Sequence, residues 1–161
     1  MNTKRNSGET DKQVQIYYDQ IDTHNFYQKV SGGEHVHIGL FKHPNEDLES
    51  AKKRTTEYMA SLLNIDDRCR ILDLGAGYGG AARYLAKIYS CRVSCLNISK
   101  TQNAINLQRN QDQGLTNFIN IQEGSFEQLP YSNSSFDVIW SQDAIFHSNT
   151  PEKVFQECIR V

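Results

Sequence analysis

An α/β fold with a parallel sheet, preceded by a helical cap, is what this sequence predicts. Three observations carry the prediction. Short apolar runs at residues 69–74, 92–98, 118–121 and 136–140 alternate with longer segments of helical character. Strands separated by helices pair in parallel through right-handed crossovers. The first run leads directly into Gly75, Gly77, Gly79 and Gly80, and a helix follows, so strand, bare turn and helix come in immediate succession. Finally, 161 residues of ordinary globular composition suit one domain.

The elements follow in order. Residues 1–12 are polar and read as a disordered tail. Residues 13–65 read as a helical lid. Within it, 13–30 are helical and carry Tyr17, Tyr18, Phe26 and Tyr27, with a break near Gln20 that lets Asp22 cap a second helix. Ser31-Gly32-Gly33 ends that helix, and residues 34–45 have loop or short-strand character up to the stop at Pro44. A loosely amphipathic helix spans Glu46 to Leu63. Residues 66–161 read as the α/β core. Its helices run from about Gly79 to Tyr89, from Lys100 to Gln113 with Gly114 as the stop, and from Pro151 to Val161. The last presents Val154, Phe155, Cys158 and Ile159 as its apolar face. The sheet reads as truncated after the fourth strand and its helix, the front portion of a longer domain. That leaves the fourth strand an uncovered edge, an association hazard that allows a homo-oligomer.

Composition excludes several classes of function. The net charge is −2 and no basic stripe is present, which disfavours nucleic acid. No apolar run reaches membrane-span length, and the polar N-terminus lacks a signal-peptide core. Cys69, Cys91, Cys95 and Cys158 form no CxxC pair, which suits reduced thiols in a cytoplasmic protein.

The glycine turn is the main chemical signal. Glycine lets the backbone turn sharply and a ligand approach it closely, and the helix start offers free N–H groups. GAGYGG satisfies the weak G-x-G-x-x-G pattern, so a dinucleotide is one reading. Asp73, just before the turn, would repel a pyrophosphate. It suits the positive ammonium and sulfonium of S-adenosyl-L-methionine. Asn97, at the tip of the second strand, stands where a dinucleotide fold usually has an acidic residue, and it can accept from and donate to ribose hydroxyls. Both features favour S-adenosyl-L-methionine.

The segments D-L-G-A-G-Y-G-G, C-L-N-I-S, E-G-S-F and S-Q-D-A-I-F-H-S resemble the class I S-adenosylmethionine-dependent methyltransferases. The upstream Y-Y-D…F-Y…G-G-E-x-x-H-x-G-L-F is similar to the sarcosine/dimethylglycine N-methyltransferase group, which makes glycine betaine. The resemblance implies a Rossmann-like three-layer sandwich. It implies that Asp73, Gly75, Ala76 and Gly77 hold the methionine part of the cofactor. Asn97, Ile98 and Gln102 then meet the ribose and adenine edge, Ser125 and Phe126 approach the adenine, and Gln142 lies beneath. It also implies that Tyr17, Tyr18 and His37 belong to the lid over the methyl group, with Asp143 and His147 nearby. Ser31 departs from the group's pattern, which has tryptophan there, where an aromatic ring could hold a methylated ammonium.

Methyl transfer requires nucleophile, methyl and sulfur in line, and an amine nucleophile must first lose its proton. Tyr18 or His37 could take it. Each role has a plainer competitor. Tyr17 and Tyr18 suit helix packing. His35-x-His37 lacks a third ligand at metal spacing, so no metal is expected. Glu34 and Asp143 could pair with a substrate ammonium, and Asp137 reads as structural. The resulting expectation is N-methylation of a small amine or amino acid. The alternatives are transfer to a phenol, sterol, prenyl group or carbon acid, or a non-catalytic fragment that binds cofactor weakly or depends on a partner.

Overall fold

The computed structural model describes residues 7–31 and 34–161. Four parallel strands form its sheet: β1 (Arg70–Leu74), β2 (Arg92–Asn97), β3 (Ile119–Glu123) and β4 (Val138–Trp140), in the order β3-β2-β1-β4. In register, Asp73 stands opposite Cys95 on one side and Trp140 on the other. The expected alternation of strand and helix is therefore present, with each strand within a few residues of its expected place.

Side chains alternate across the strands and feed two cores. Ile71, Val93, Cys95 and Trp140 join one face of the sheet with Ala82, Leu85 and Ala86 of α4 (Gly80–Tyr89). Leu72, Leu74 and Leu96 join the other with Leu129 and Val154. Burial on both faces is what a parallel sheet demands. β4 is an edge strand among the described residues.

The cap comprises α1 (Ser7–Asp19), α2 (Ile21–Ser31) and α3 (Leu48–Ser61). The break falls at Gln20 as expected, but helix begins at Ser7, so residues 7–12 are not the disordered tail the composition suggested. Residues 1–6 lie outside the described residues, as do Gly32, Gly33 and the side chain of Ser31, including the departure from the tryptophan pattern. Asp47 caps α3 by accepting from Ser50 N at 2.9 Å.

α5 (Lys100–Asp112) starts at a cap the sequence reading passed over: Ser99 Oγ accepts from Gln102 N at 3.1 Å. Asp19, at the end of α1, accepts from both Ser99 Oγ and Thr101 N. An anionic group at a helix N-terminus is favourable, and this one ties the lid to the core. No described helix is long and apolar enough to cross a membrane.

One apolar face is corrected. In α6 (Pro151–Arg160) Val154 is buried, but Phe155 is 56% and Ile159 is 86% exposed. Positions 154, 158 and 161 share one stripe at the helical repeat, and 155 and 159 fall on the next. Only the first stripe meets the sheet. Asp137 is structural as read: it accepts from Arg70 N, Nε and Nη2 at 2.8–3.0 Å.

Candidate active site

A cleft of about 700 Å³, counted with its open mouth, lies at the C-terminal ends of β1, β2 and β4 beneath α1. Ligands of open α/β sheets bind at this edge. The glycine turn forms its floor. Gly75 N and Ala76 N donate to Leu96 O at 2.8 and 3.3 Å, which fixes the turn against the end of β2. Gly75 has φ +71°, and a Cβ there would fall 2.3 Å from the Ala144 Cβ. With Ala144 opposite, the turn has no room for a side chain at this position.

Of the residues expected at the site, Tyr18, His37, Gly75, Gly77, Asn97, Ile98, Gln102, Ser125, Phe126, Gln142, Asp143 and His147 all line this cleft. Asp73 and Ala76 line a smaller hollow that continues from it past Gly75, His37 and Gln142. Tyr17 lines neither. It is 48% exposed, and its ring packs edge-on against Tyr18 at 5.0 Å, so the packing reading prevails for it. Asp11, Val14, Val36, Gly124 and Ala144 complete the main lining and were not foreseen.

Two buried polar atoms at the inner end have no protein partner. Asp73 is 3% exposed and its Oδ2 is unpaired. Burial pushes its carboxyl up to about 7. Gln142 Oε1 accepts from Trp140 Nε1 at 3.1 Å and from Thr56 Oγ1 at 3.3 Å, which leaves Nε2 unpaired. One atom is an acceptor, the other a donor, and both line the same hollow. Orphaned buried polar groups are costly and call for an explanation.

Farther out, Asn97 Nδ2 donates to Gln102 Oε1 at 3.1 Å and Asn103 Oδ1 at 3.3 Å. Its donor is thus engaged, and its carbonyl oxygen is what it can offer a ligand. The roof is held by long-range bonds. Gln15 Nε2 donates to Ile98 O at 3.1 Å, and Asn149 Nδ2 donates to Thr10 Oγ1. Tyr18 Oη lies 3.0 Å from His147 Nε2. Burial raises the Tyr18 phenol and lowers the His147 imidazole. Near neutral pH the phenol therefore donates and the neutral ring accepts.

His37 is more committed than its motif suggests. Its Nδ1 lies 3.0 Å from Ile38 O, a contact that needs a protonated nitrogen. Its Nε2 lies 3.2 Å from His35 Nδ1 and 3.3 Å from Thr56 Oγ1. Burial lowers His37, and burial with the His37 charge lowers His35 to about 4, so the pair is neutral. Among the described residues no group of three or more His, Cys, Asp or Glu could hold a metal ion.

The two carboxylates considered for a substrate ammonium are already engaged. Asp143 Oδ2 accepts from Ile38 N at 2.7 Å. Glu34 Oε2 accepts from buried Arg83 Nη2 at 2.6 Å, and Arg109 lies 3.7 Å from Glu34 Oε1. Arg83 also donates to Asn106 Oδ1 and Asn110 Oδ1 at 3.0 and 3.2 Å. Removing Glu34 strands the charge of buried Arg83. Glu34→Ala is therefore expected to destabilise the chain by about 3 kcal/mol, the lower end of the range because the carboxylate is 39% exposed, measured by urea unfolding. Glu34→Gln, which keeps an acceptor for Arg83, should cost less.

The model of a family described as "Methyltransferase domain" matches residues 72–161. A sarcosine/dimethylglycine N-methyltransferase of Aphanothece halophytica is 48% identical over 151 residues, covering 93% of this chain and 54% of that protein. A glycine/sarcosine/dimethylglycine N-methyltransferase of Actinopolyspora halophila is 48% identical over 145 residues, covering 90% of this chain and 26% of that protein. A crystal structure from Galdieria sulphuraria, described as a sarcosine dimethylglycine methyltransferase, superposes with a TM-score of 0.84 at 45% identity. The match covers 90% of this chain and 56% of that one. The chain thus spans about half the length, or less, of the curated relatives it matches.

Proposed function

The chain belongs to the class I S-adenosylmethionine-dependent methyltransferases, and from that premise we propose that the protein methylates the nitrogen of a small amine or amino acid. Sarcosine and dimethylglycine are the favoured acceptors, because two relatives 48% identical carry those names, and a third methyl on dimethylglycine nitrogen makes glycine betaine. The observation that carries the cofactor reading is the pair of orphaned atoms, Asp73 Oδ2 and Gln142 Nε2, in one hollow. An α-amino acid presents an ammonium to the first and a carboxylate to the second. The methionine part of S-adenosyl-L-methionine has both groups, and the bare turn at Gly75 and Gly77 admits it closely.

When bound, the cofactor supplies a methyl group on a positively charged sulfur. The chain's residues orient and enclose the reactants. Asn97 offers an acceptor to ribose hydroxyls, and Ile98, Gln102, Ser125 and Phe126 wall the nucleoside. The lid helix α1 excludes water. The proton leaving the amine is assigned to the Tyr18–His147 pair, because both ring nitrogens of His37 are taken up within the protein. His37 then holds the lid loop in place. Cytoplasmic residence is supported by the four unpaired cysteines.

Incubation with methyl-labelled cofactor and glycine, sarcosine, dimethylglycine and a phenol tests the reading. Label on sarcosine or dimethylglycine is the expected result. Label only on a phenol, sterol or carbon acid would overturn the amine assignment. S-adenosylhomocysteine binding without turnover would place essential chemistry outside residues 1–161. Tyr18→Phe should lower kcat by about 100-fold or more and leave S-adenosylhomocysteine affinity unchanged.

A further inference from the structure

We propose that Asp11, on the lid helix α1, recognises the exocyclic amino group of the cofactor's nucleobase, so that the lid forms part of the cofactor site as well as its cover. This rests on the cofactor reading above. The cavity system is bracketed by carboxylates. Asp73 stands at the glycine-turn end, and Asp11 lines the main cleft together with Gly124, Ser125 and Phe126. The main cleft has one other carboxylate, Asp143, and that one is bonded to Ile38 N.

Asp11 has a different neighbourhood. Ser125 Oγ accepts from Glu127 N at 3.2 Å, which leaves its hydroxyl proton to Asp11. Glu127 does not compete for ligand: it is 2% exposed, and its Oε1 accepts from Ser148 Oγ. Burial of Asp11, and after it the nearby Glu127 carboxylate, pushes the Asp11 carboxyl up, while Ser125 and Lys153 act in the opposite sense. A carboxylate offers about four lone-pair positions, and one hydroxyl leaves most of them open.

The position of Asp11 is fixed from both sides. Thr10, its neighbour, takes the bond from Asn149 Nδ2. Asp19, two helical turns on, is anchored at Ser99 and Thr101. This end of the cleft therefore suits a group that donates hydrogen bonds. Adenine presents an N–H pair at its exocyclic nitrogen. Hypoxanthine presents a carbonyl oxygen at the same place, which a carboxylate would repel.

Calorimetry on the full chain with S-adenosylhomocysteine and S-inosylhomocysteine tests this. Wild type should prefer the adenosyl ligand by about tenfold or more. Asp11→Asn should weaken that ligand about tenfold and abolish or reverse the preference, because its amide can donate to the 6-oxo group. Asp11→Ala keeps helix propensity and should likewise lose the preference. Unchanged preference in both variants overturns the inference and leaves the cofactor reading standing. Failure of wild type to bind either ligand overturns both.

Discussion

Asp73→Asn is expected to stabilise the ligand-free protein above neutral pH and, at the same time, to weaken S-adenosylhomocysteine binding by about 100-fold. The two effects have one cause. Asp73 is buried, its Oδ2 has no partner, and burial raises its carboxyl from 3.8 to about 7. Its folded value therefore lies above its unfolded value. Between those two pH values the folded chain holds a proton that the unfolded chain has released. Stability is then greatest at the acidic side of the window, falls as pH rises towards 7, and stays reduced above it. The cost of the ionised form is on the order of a few kcal/mol. Asparagine cannot ionise, so its melting temperature should lack that fall and exceed wild type by about 5–10 °C at pH 8. A ligand ammonium supplies the missing partner. Wild-type affinity should therefore rise with pH up to about 7 and then level off, and the variant's should not. A melting temperature lowered at pH 8 would mean that the carboxylate is satisfied within the protein.

The strands, the bare turn and the cofactor-facing tips were legible in the sequence because each is a local signal. A short apolar run marks β1, which is buried without interruption from Ile71 to Leu74, and the cluster of glycines after it marks a sharp turn. What was not legible depends on partners far away in the chain. Glu34 read as a free carboxylate because Arg83 stands 49 positions away. His37 read as a base because the motif does not show that its Nδ1 donates to Ile38 O and its Nε2 faces His35 Nδ1 at 3.2 Å. Tyr17 and Tyr18 are adjacent in sequence, but a helix turns them about 100° apart, so one lines the cleft and the other does not. Asp11 was placed in a tail because polar residues alone do not show that Asp19 and Thr10 would dock the helix. Val36 and Ala144 belong to loops, where no periodicity assigns a face.

Gly75→Ala is expected to unfold or severely destabilise the turn, and a second substitution should largely repair it. Two costs are combined at this position. The first is conformational, since φ is +71° and a side chain there is worth about 1–2 kcal/mol of strain. The second is steric, since the new Cβ would lie 2.3 Å from the Ala144 Cβ. Gly114 separates the two costs. Its φ is +67°, yet nothing lies within 4 Å of a Cβ built there. Gly114→Ala should therefore show the conformational cost alone, with S-adenosylhomocysteine affinity intact. Gly75→Ala should show both, together with loss of binding, because Ala144 and the turn line the same cleft. Combining Gly75→Ala with Ala144→Gly removes the clashing methyl group and leaves the Cα of residue 144 at 3.7 Å, an ordinary contact. The double variant should then melt close to Gly114→Ala and regain measurable affinity. Equal damage from the single and double variants would show that the conformation of the turn, and not its approach to residue 144, is what only glycine can provide.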